Sequence, residues 1–474
     1  MKEAMFYDLV SQSCHACPEP RALRSGGGKP LTRRLAALAV AAALMTGTAV
    51  PAFADVYDIR KGSITIVANG DGTAKVTQNE TVNDKDDDVK VTGSNEVTGN
   101  TVDIINNTDN DLKVTLSDVT ITDPKGDAAP VSVSGTGNTA IELDGSNTLK
   151  SSGWHAGLER NEEKNSDGNV VSGKLTIQDE DKNGSLDATG GFGGAGIGGA
   201  NIKNSGALEI TGGTINASSY DGSGIGSGDS AKGDTDIKIK NSNVTAKGFI
   251  DVRYVSHGTG IGSGLSSSGK TTIDISGGTV KATGSGDGYK GSAGIGSGSY
   301  STGDTSITLR DGVTVTATGG GNSSLGGGGG AGIGSGSDAN GNTTILIEGA
   351  TKVTATGGST AAGIGSGHYV GDIKDPSVGS TTITIRNSDD GRVIPIIEAK
   401  GGSNENGSCW ASGAGIGSGG NTLNKTTINI EGGEITATGG VTCPTARLTV
   451  IMMPNQTGSQ LKWAMMGSMK GRKT

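Results

Sequence analysis

Residues 271–284 read Thr-Thr-Ile-Asp-Ile-Ser-Gly-Gly-Thr-Val-Lys-Ala-Thr-Gly, and Ala-Gly-Ile-Gly follows at residues 293–296. Apolar and polar residues alternate on both sides of the Gly-Gly pair, which is typical of strands. The Gly-Ile-Gly turn occurs seven times along the chain, mostly about 30 to 40 residues apart, and a repeat of this period predicts a solenoid. The central residues of the seven turns are Ile197, Ile225, Ile261, Ile295, Ile333, Ile364 and Ile416.

Each repeat offers three short extended pieces: the Gly-Ile-Gly segment, a Thr-Thr-Ile-x-Ile strand and a Val-x-Ala-Thr strand. Three strands per coil predict an all-β chain folded as a right-handed parallel β-helix of about ten coils. With 86 glycines and 3% aromatic residues, the chain suits a thin, continuous core. We expect one coil's inward residues to stack on those of the next, pairing Ile273, Ile275 and Val280 with Ile307, Leu309 and Val315.

The organisation along the chain divides into four segments. Residues 1–54 are predicted to be an extended signal peptide, with an apolar run at 35–45 behind Arg33-Arg34 and a small-x-small cleavage site at 52–54; alternatively, translation starts after Met1. Residues 55–190 are predicted to form irregular coils, and residues 191–440 regular ones. Residues 441–474 depart from the repeat and are either a cap or a truncated or frameshifted end. The predicted location is extracellular, as a secreted protein or one held at the cell surface.

Charge and motifs restrict the classes of partner. The formal net charge of −9 and pI near 5.1 disfavour nucleic acid, which selects a basic face. No apolar run after the signal is long enough to span a membrane. Residues 264–271 satisfy the P-loop pattern, but a strand is expected to follow them where a phosphate site needs a helix N-terminus. We therefore predict neither nucleotide binding nor a membrane span.

An acidic stretch, residues 179–187, offers oxygen ligands that suit calcium. Asp179, Asp181 and Asn183 alternate before a glycine, and Asp187 follows. Gly190 stands where an EF-hand loop has its bidentate Glu, and no helices flank the stretch. The alternative is a solvated acidic turn around Asn183-Gly184.

Aromatic residues cluster close to the turns. Such rings suit the apolar faces of sugars, and a row of them suits a polymer, if successive coils are in register. The alternative is that each ring covers the end of its own coil's core. The residues concerned are Trp154, Phe192, Tyr220, Tyr254, Tyr289, Tyr300, Tyr369 and Trp410.

Few residues suggest catalysis. His155, His257 and His368 are expected in different coils, and no carboxylate pair can be told from solubilising charge. We therefore predict no enzymatic activity. Cys409 and Cys443 lie one repeat apart, so adjacent coils could bring them within disulfide distance outside the cell.

The phrases Gly-Ser-Asn-Thr-Leu at 145–149, Ala-Gly-Leu at 156–158 and Ser-Leu-Asp-Ala-Thr-Gly-Gly at 185–191, followed by serial Ala-Gly-Ile-Gly turns, resemble a bacterial family. Its members are secreted or surface β-helix proteins with Ala-Gly-Ile-Gly-Gly repeats, similar to the carbohydrate-binding, pectin-binding-like β-helix proteins of plant-fibre-degrading bacteria. The resemblance covers most of residues 110–440. It implies non-catalytic binding of an acidic polysaccharide, with calcium. A structural adhesin or spacer is the alternative, and a polysaccharide lyase or glycoside hydrolase is the third hypothesis.

Overall fold

In the structure, a computed structural model, the chain folds into a right-handed parallel β-helix. The structure describes residues 55–122, 124, 127–248, 257–286, 290–321, 328–349, 351–368, 379–389, 391–403 and 412–440, and the backbone of 449–452. Apart from one 3₁₀ turn, Ile59–Lys61, all regular elements among these residues are strands. No helix in this part of the chain has the length and apolar character needed to cross a bilayer.

The strands form three sheets, named A, B and C, and the regular coils visit them in the order B, A, C. Sheet A contains Val56–Asp58, Val89–Thr92, Leu112–Ser117, Thr139–Asp144, Leu175–Gln178, Gly206–Ile210, Thr235–Lys240, Thr271–Ser276, Thr305–Arg310, Thr343–Glu348, Thr381–Arg386 and Thr426–Ile430. Sheet B contains Ile64–Ala68, Ala74–Gln78, Thr81–Asp86, Val102–Ile105, Val131–Ser134, Leu158–Arg160, Ile197–Gly198, Ile225–Gly226, Ile261–Gly262, Ile295–Gly296, Ile333–Gly334, Ile364–Gly365 and Ile416–Gly417. Sheet C contains Val97–Thr98, Thr120–Thr122, Ser146–Lys150, Ser185–Thr189, Thr214–Ser219, Asn243–Gly248, Thr279–Thr283, Thr314–Thr318, Lys352–Thr356, Ile396–Lys400, Glu434–Thr438 and Thr449–Met452.

The predicted stacking of core residues from coil to coil is confirmed. Ile273 pairs with Ile307 and Ile275 with Leu309 in sheet A, and Val280 pairs with Val315 in sheet C. All six side chains are at most 1% exposed. The prediction of three short strands per coil is confirmed too, and the described residues place twelve strands in sheet A, where about ten coils were expected. The core is therefore a continuous column of aliphatic side chains.

The Gly-Ile-Gly turn is a sharp bend that puts its isoleucine into this column. In the coil of Ile295, the backbone N–H of Ala293 donates to the carbonyl oxygen of Ser297, at 3.2 Å. The glycine after the isoleucine, Gly296, has φ +139°, a conformation that L residues rarely adopt. A Cβ at Gly296 would lie 1.8 Å from the carbonyl oxygen of Gly334 one coil on. Glycine is thus required both by the backbone angle and by the close stacking of coils.

The two ends of the stack carry antiparallel strands. At the N-terminal end, Ala74–Gln78 pairs antiparallel with Ile64–Ala68, and Thr81–Asp86 pairs antiparallel with Ala74–Gln78. At the other end, Thr449–Met452 pairs antiparallel with Glu434–Thr438. Antiparallel pairing ends the parallel repeat at both places.

Candidate functional site

Three aromatic residues occupy corresponding loops in three consecutive coils, each between a sheet C strand and the following sheet B strand. Trp154 precedes Leu158–Arg160, Phe192 precedes Ile197–Gly198, and Tyr220 precedes Ile225–Gly226. These sheet B strands are direct neighbours in parallel register. We call these three residues the aromatic ladder.

The rings of the aromatic ladder contact one another. The ring centroids of Trp154 and Phe192 lie 6.1 Å apart with an interplanar angle of 51°. Those of Phe192 and Tyr220 lie 5.8 Å apart at 27°, which is a stacked pair. Trp154 is 56% exposed and Phe192 43% exposed, so the ladder forms a solvent-facing strip across three coils.

Backbone hydrogen bonds between neighbouring coils hold the ladder loops in place. The backbone N–H of Phe192 donates to the carbonyl oxygen of Gly153 at 2.7 Å, and the backbone N–H of Gly191 donates to the carbonyl oxygen of His155 at 3.0 Å. The Ser219 hydroxyl donates to the carbonyl oxygen of Gly194 at 2.6 Å. The rings are therefore mounted on a rigid framework, which favours a preformed binding surface.

Acidic groups surround the Trp154 end of the ladder. His155 Nδ1 lies 2.7 Å from Glu159 Oε2, and its Nε2 lies 3.5 Å from Asp127 Oδ1. Glu159 is buried and also accepts the backbone N–H of Ala156 at 3.1 Å. The hydrogen bond to Glu159 raises the pKa of His155, against the opposing effect of burial.

Two partly buried carboxylates lie at the Tyr220 end. Asp221 Oδ1 accepts the backbone N–H of His257 at 3.0 Å and lies 4.0 Å from Nδ1 of the same histidine. Asp229 Oδ1 accepts the Ser230 hydroxyl at 2.9 Å. Burial raises the pKa of both carboxyls, and the negative charge of Asp221 raises that of Asp229 further.

The other predicted ladder members do not join this strip in the described part of the chain. Tyr300 lies in a different loop, after Ile295–Gly296, where it is 46% exposed and the Lys290 ammonium lies 5.5 Å from its ring centroid. The remaining aromatic candidates, Tyr254, Tyr289, Tyr369 and Trp410, and the two cysteines, Cys409 and Cys443, lie outside the described residues.

The acidic stretch at 179–184 forms a turn between sheets A and C. Asp179 Oδ1 accepts the backbone N–H groups of Asn183 and Gly184, both at 3.1 Å. Burial raises the pKa of Asp179. Among the described residues, Asp179 and Asp181 form a group with Glu142 of the previous coil, in which one carboxylate oxygen of each residue lies within 4.8 Å of the other two.

The other two predicted calcium ligands are used differently. The Asn183 side-chain N–H donates to Asp181 Oδ2 at 2.7 Å. Asp187 lies on the exposed face of Ser185–Thr189 and accepts a 2.6 Å hydrogen bond from Asn216 on the next coil. The structure thus keeps Asp179 and Asp181 together, adds Glu142 and places Asp187 in an inter-coil pair.

Sequence reasoning missed Glu142, Glu159, Asp221 and Asp229. Glu142 pairs in register with Gln178, directly before Asp179, so aligning the coils strand by strand would have found it. Asp221 directly follows Tyr220, and Asp229 lies in the loop after the next isoleucine turn. Asp221 and Asp229 come close to the ladder through contacts between loops that are distant in the sequence. A motif within one repeat does not contain this information.

Comparison with known proteins supports the repeat and leaves the ligand open. The model of the family described as Beta helix repeat matches residues 208–229, 273–299, 345–368 and 428–446. The first match contains Thr214–Ser219 and Ile225–Gly226, so the matches coincide with the coils seen here. No curated protein and no solved structure matches the chain. The chain is thus built of β-helix repeats.

Proposed function

We propose that this β-helix repeat protein is a secreted or surface-displayed, non-catalytic module that binds polysaccharide along the aromatic ladder. The observation that carries the proposal is the contact of three rings on consecutive coils, at 6.1 and 5.8 Å, with Trp154 and Phe192 about half exposed. Rings that only covered the core would be expected to turn most of their surface inward. An exposed, preformed row of aromatic rings instead suits a repeating apolar ligand.

A polysaccharide supplies such a repeat. The faces of its sugar rings carry C–H groups that pack on aromatic rings, while the hydroxyls at their edges remain available to water and polar side chains. Coils of a β-helix follow one another at about 4.8 Å, close to the length of one sugar unit. A linear glycan lying across the coils would therefore place roughly one sugar on each ring.

We also propose that calcium binds Glu142, Asp179 and Asp181, since hard carboxylate oxygens are its preferred ligands. This cluster lies on the turn between sheets A and C, whereas the ladder lies on loops between sheets C and B. Calcium there would hold two coils together or bridge to an acidic polysaccharide at that edge. Binding on the ladder should then persist in the presence of a chelator.

The test is a pull-down of the purified protein with insoluble and acidic polysaccharides, with calcium and with chelator. We expect Trp154→Ala and Phe192→Ala each to weaken retention on a bound glycan about tenfold, because each removes one stacking surface. Tyr300→Ala is the matched control, since it removes an exposed ring outside the ladder. The same supernatants are assayed for new reducing ends and unsaturated sugars.

The alternatives give different results. A structural adhesin or spacer would retain no glycan, and the ladder variants would behave like the unaltered protein. A lyase or hydrolase would release products, and this would contradict the non-catalytic role. Equal loss of retention in Tyr300→Ala and Trp154→Ala would contradict the assignment of binding to the ladder.

A further inference from the structure

Each residue of the aromatic ladder has an aspartate close to its own loop. At Trp154, a Cβ built on the preceding residue, Gly153, would lie 2.6 Å from Asp127 Oδ1. The same oxygen lies 3.5 Å from Nε2 of the following residue, His155. At Phe192, the next residue, Gly193, accepts the backbone N–H of Asp229 at 2.7 Å. At Tyr220, the next residue is Asp221 itself. An aspartate residue therefore lies beside each of the three ladder loops.

These carboxylates differ from the acids of sheet A in their partners. On sheet A, cations of other coils neutralise acids: Arg310 pairs with Asp274 of the adjacent coil at 2.8 Å, and Lys90 with Asp144 two coils on at 2.6 Å. Within the described chain, Asp127 and Asp221 approach only histidine rings, and Asp229 forms no ion pair. In the described part of the chain, the ladder thus runs beside carboxylates that no lysine or arginine neutralises.

In the part of the chain that the structure describes, histidines are the basic side chains that approach these carboxylates. The His155 ring is shared between Glu159 and Asp127, and His257 lies 4.0 Å from Asp221. Lys203 is exposed, and its carbonyl oxygen accepts the backbone N–H of Gly228, the residue before Asp229. In the described chain, no ion pair joins Lys203 to these carboxylates.

We propose that the aromatic ladder selects a linear glycan whose sugar units carry free amino groups, that is, a deacetylated amino-sugar polymer. The inference rests on the proposed polysaccharide binding and specifies its ligand class. Sugar faces stack on the three rings while ammonium groups form charge-assisted hydrogen bonds with Asp127, Asp221 and Asp229. A uronic acid polymer would be repelled by the same carboxylates, so it is disfavoured on this surface.

Burial strengthens the argument for a cationic ligand. Burial raises the pKa of both Asp221 and Asp229, and the negative charge of Asp221 raises that of Asp229 further. An ammonium group beside these carboxylates would give each of them a cationic partner. Neutral sugars offer only hydroxyl groups, which compensate a carboxylate less.

The test compares chitosan oligosaccharides with fully N-acetylated oligosaccharides of the same length, by calorimetric titration of the full-length protein. The pH is set where sugar amines are protonated and the aspartates are ionised. We expect at least about tenfold tighter binding of the deacetylated form, and a preference that shrinks as salt is added. The salt series uses the unaltered protein, so its result does not depend on whether a substituted protein folds.

Asp221→Asn with Asp229→Asn is expected to abolish most of that preference while binding of the acetylated oligosaccharide persists. Asp304→Asn, an exposed aspartate in a loop leading to sheet A, is the matched control. Equal affinity for both oligosaccharides, lost in Trp154→Ala, would overturn the amino-sugar inference and leave the proposed function standing. Tighter binding of a uronic acid polymer on the ladder would overturn it as well. Binding of no glycan at all would overturn both proposals.

Discussion

The glycine after each turn isoleucine shows how single residues determine this fold. Gly262 has φ +136°, and a Cβ on it would lie 1.9 Å from the carbonyl oxygen of Gly296 in the next coil. Real Cβ atoms do not approach a carbonyl oxygen so closely, so a side chain would force two coils apart. The repeated glycine is therefore a requirement of stacking as well as of backbone conformation.

This leads to a prediction with a matched pair of variants. Gly312 also has a positive φ, +82°, but a Cβ there would meet no atom within 4 Å. We expect Gly312→Ala to lower the free energy of unfolding by about 1–2 kcal/mol, the cost of the backbone conformation alone. Gly262→Ala should cost at least about 2 kcal/mol more, because it adds the clash. Urea unfolding measures both, and an equal loss in the two variants would contradict the role of stacking.

Charged side chains on and beside the strands of sheet A form ion pairs between neighbouring coils. Glu209 on Gly206–Ile210 accepts a hydrogen bond from Lys240 of the next coil at 2.6 Å and one from Lys174, which directly precedes the sheet A strand of the previous coil. Glu209 is 9% exposed. Its hydrogen bonds to Lys174 and then Lys240 lower its pKa. One carboxylate thus links three consecutive coils.

We predict that Glu209→Gln lowers the free energy of unfolding by about 1 kcal/mol at neutral pH. Because the folded pKa of Glu209 is depressed, its contribution is present above the unfolded value of about 4.5 and is lost as the pH falls through the folded pKa. The difference between the two proteins should therefore shrink on acidification. Urea unfolding at several pH values checks this.

The control for this prediction is Glu398→Gln, since Glu398 is exposed on Ile396–Lys400 in sheet C and forms no ion pair in the described chain. Its effect should be small and insensitive to pH. A pH-independent loss in Glu209→Gln would show that the carboxylate acts through packing instead of charge.

The sequence predicts the features that depend on residues close together in the chain, and it misses those that depend on contacts between coils. The alternation around Ile273 and Ile275 is local, so the strands and their inward residues were predicted correctly. The approach of Glu142 to Asp179 depends on which coil lies beside which, and the two residues are 37 positions apart. Likewise, Tyr300 lies close to a turn, as the aromatic row requires, but it follows the turn isoleucine Ile295, whereas the ladder residues precede theirs. Local patterns determine the strand; register between coils determines the site.

For the whole molecule, the stack must end without leaving an open edge for other chains. A parallel β-helix exposes unpaired backbone groups at each end, and such edges template association. At the N-terminal end the strand Ala74–Gln78 covers Ile64–Ala68 by antiparallel pairing. Ala74 and Val76 are fully buried, so this cap extends the aliphatic core as well as the sheet.

The cap should therefore control the oligomeric state. Val76→Asp places a charge at a position with 0% exposure and should detach the strand, because an unpaired buried carboxylate costs several kcal/mol. Thr77→Asp, on the opposite face of the same strand, is the control, since Thr77 keeps contact with water. We expect Val76→Asp to form concentration-dependent oligomers in light scattering after gel filtration, while Thr77→Asp elutes like the unaltered protein. If Val76→Asp remained at the unaltered mass while losing the cap's protection from hydrogen exchange, burial of the edge would not be what limits association.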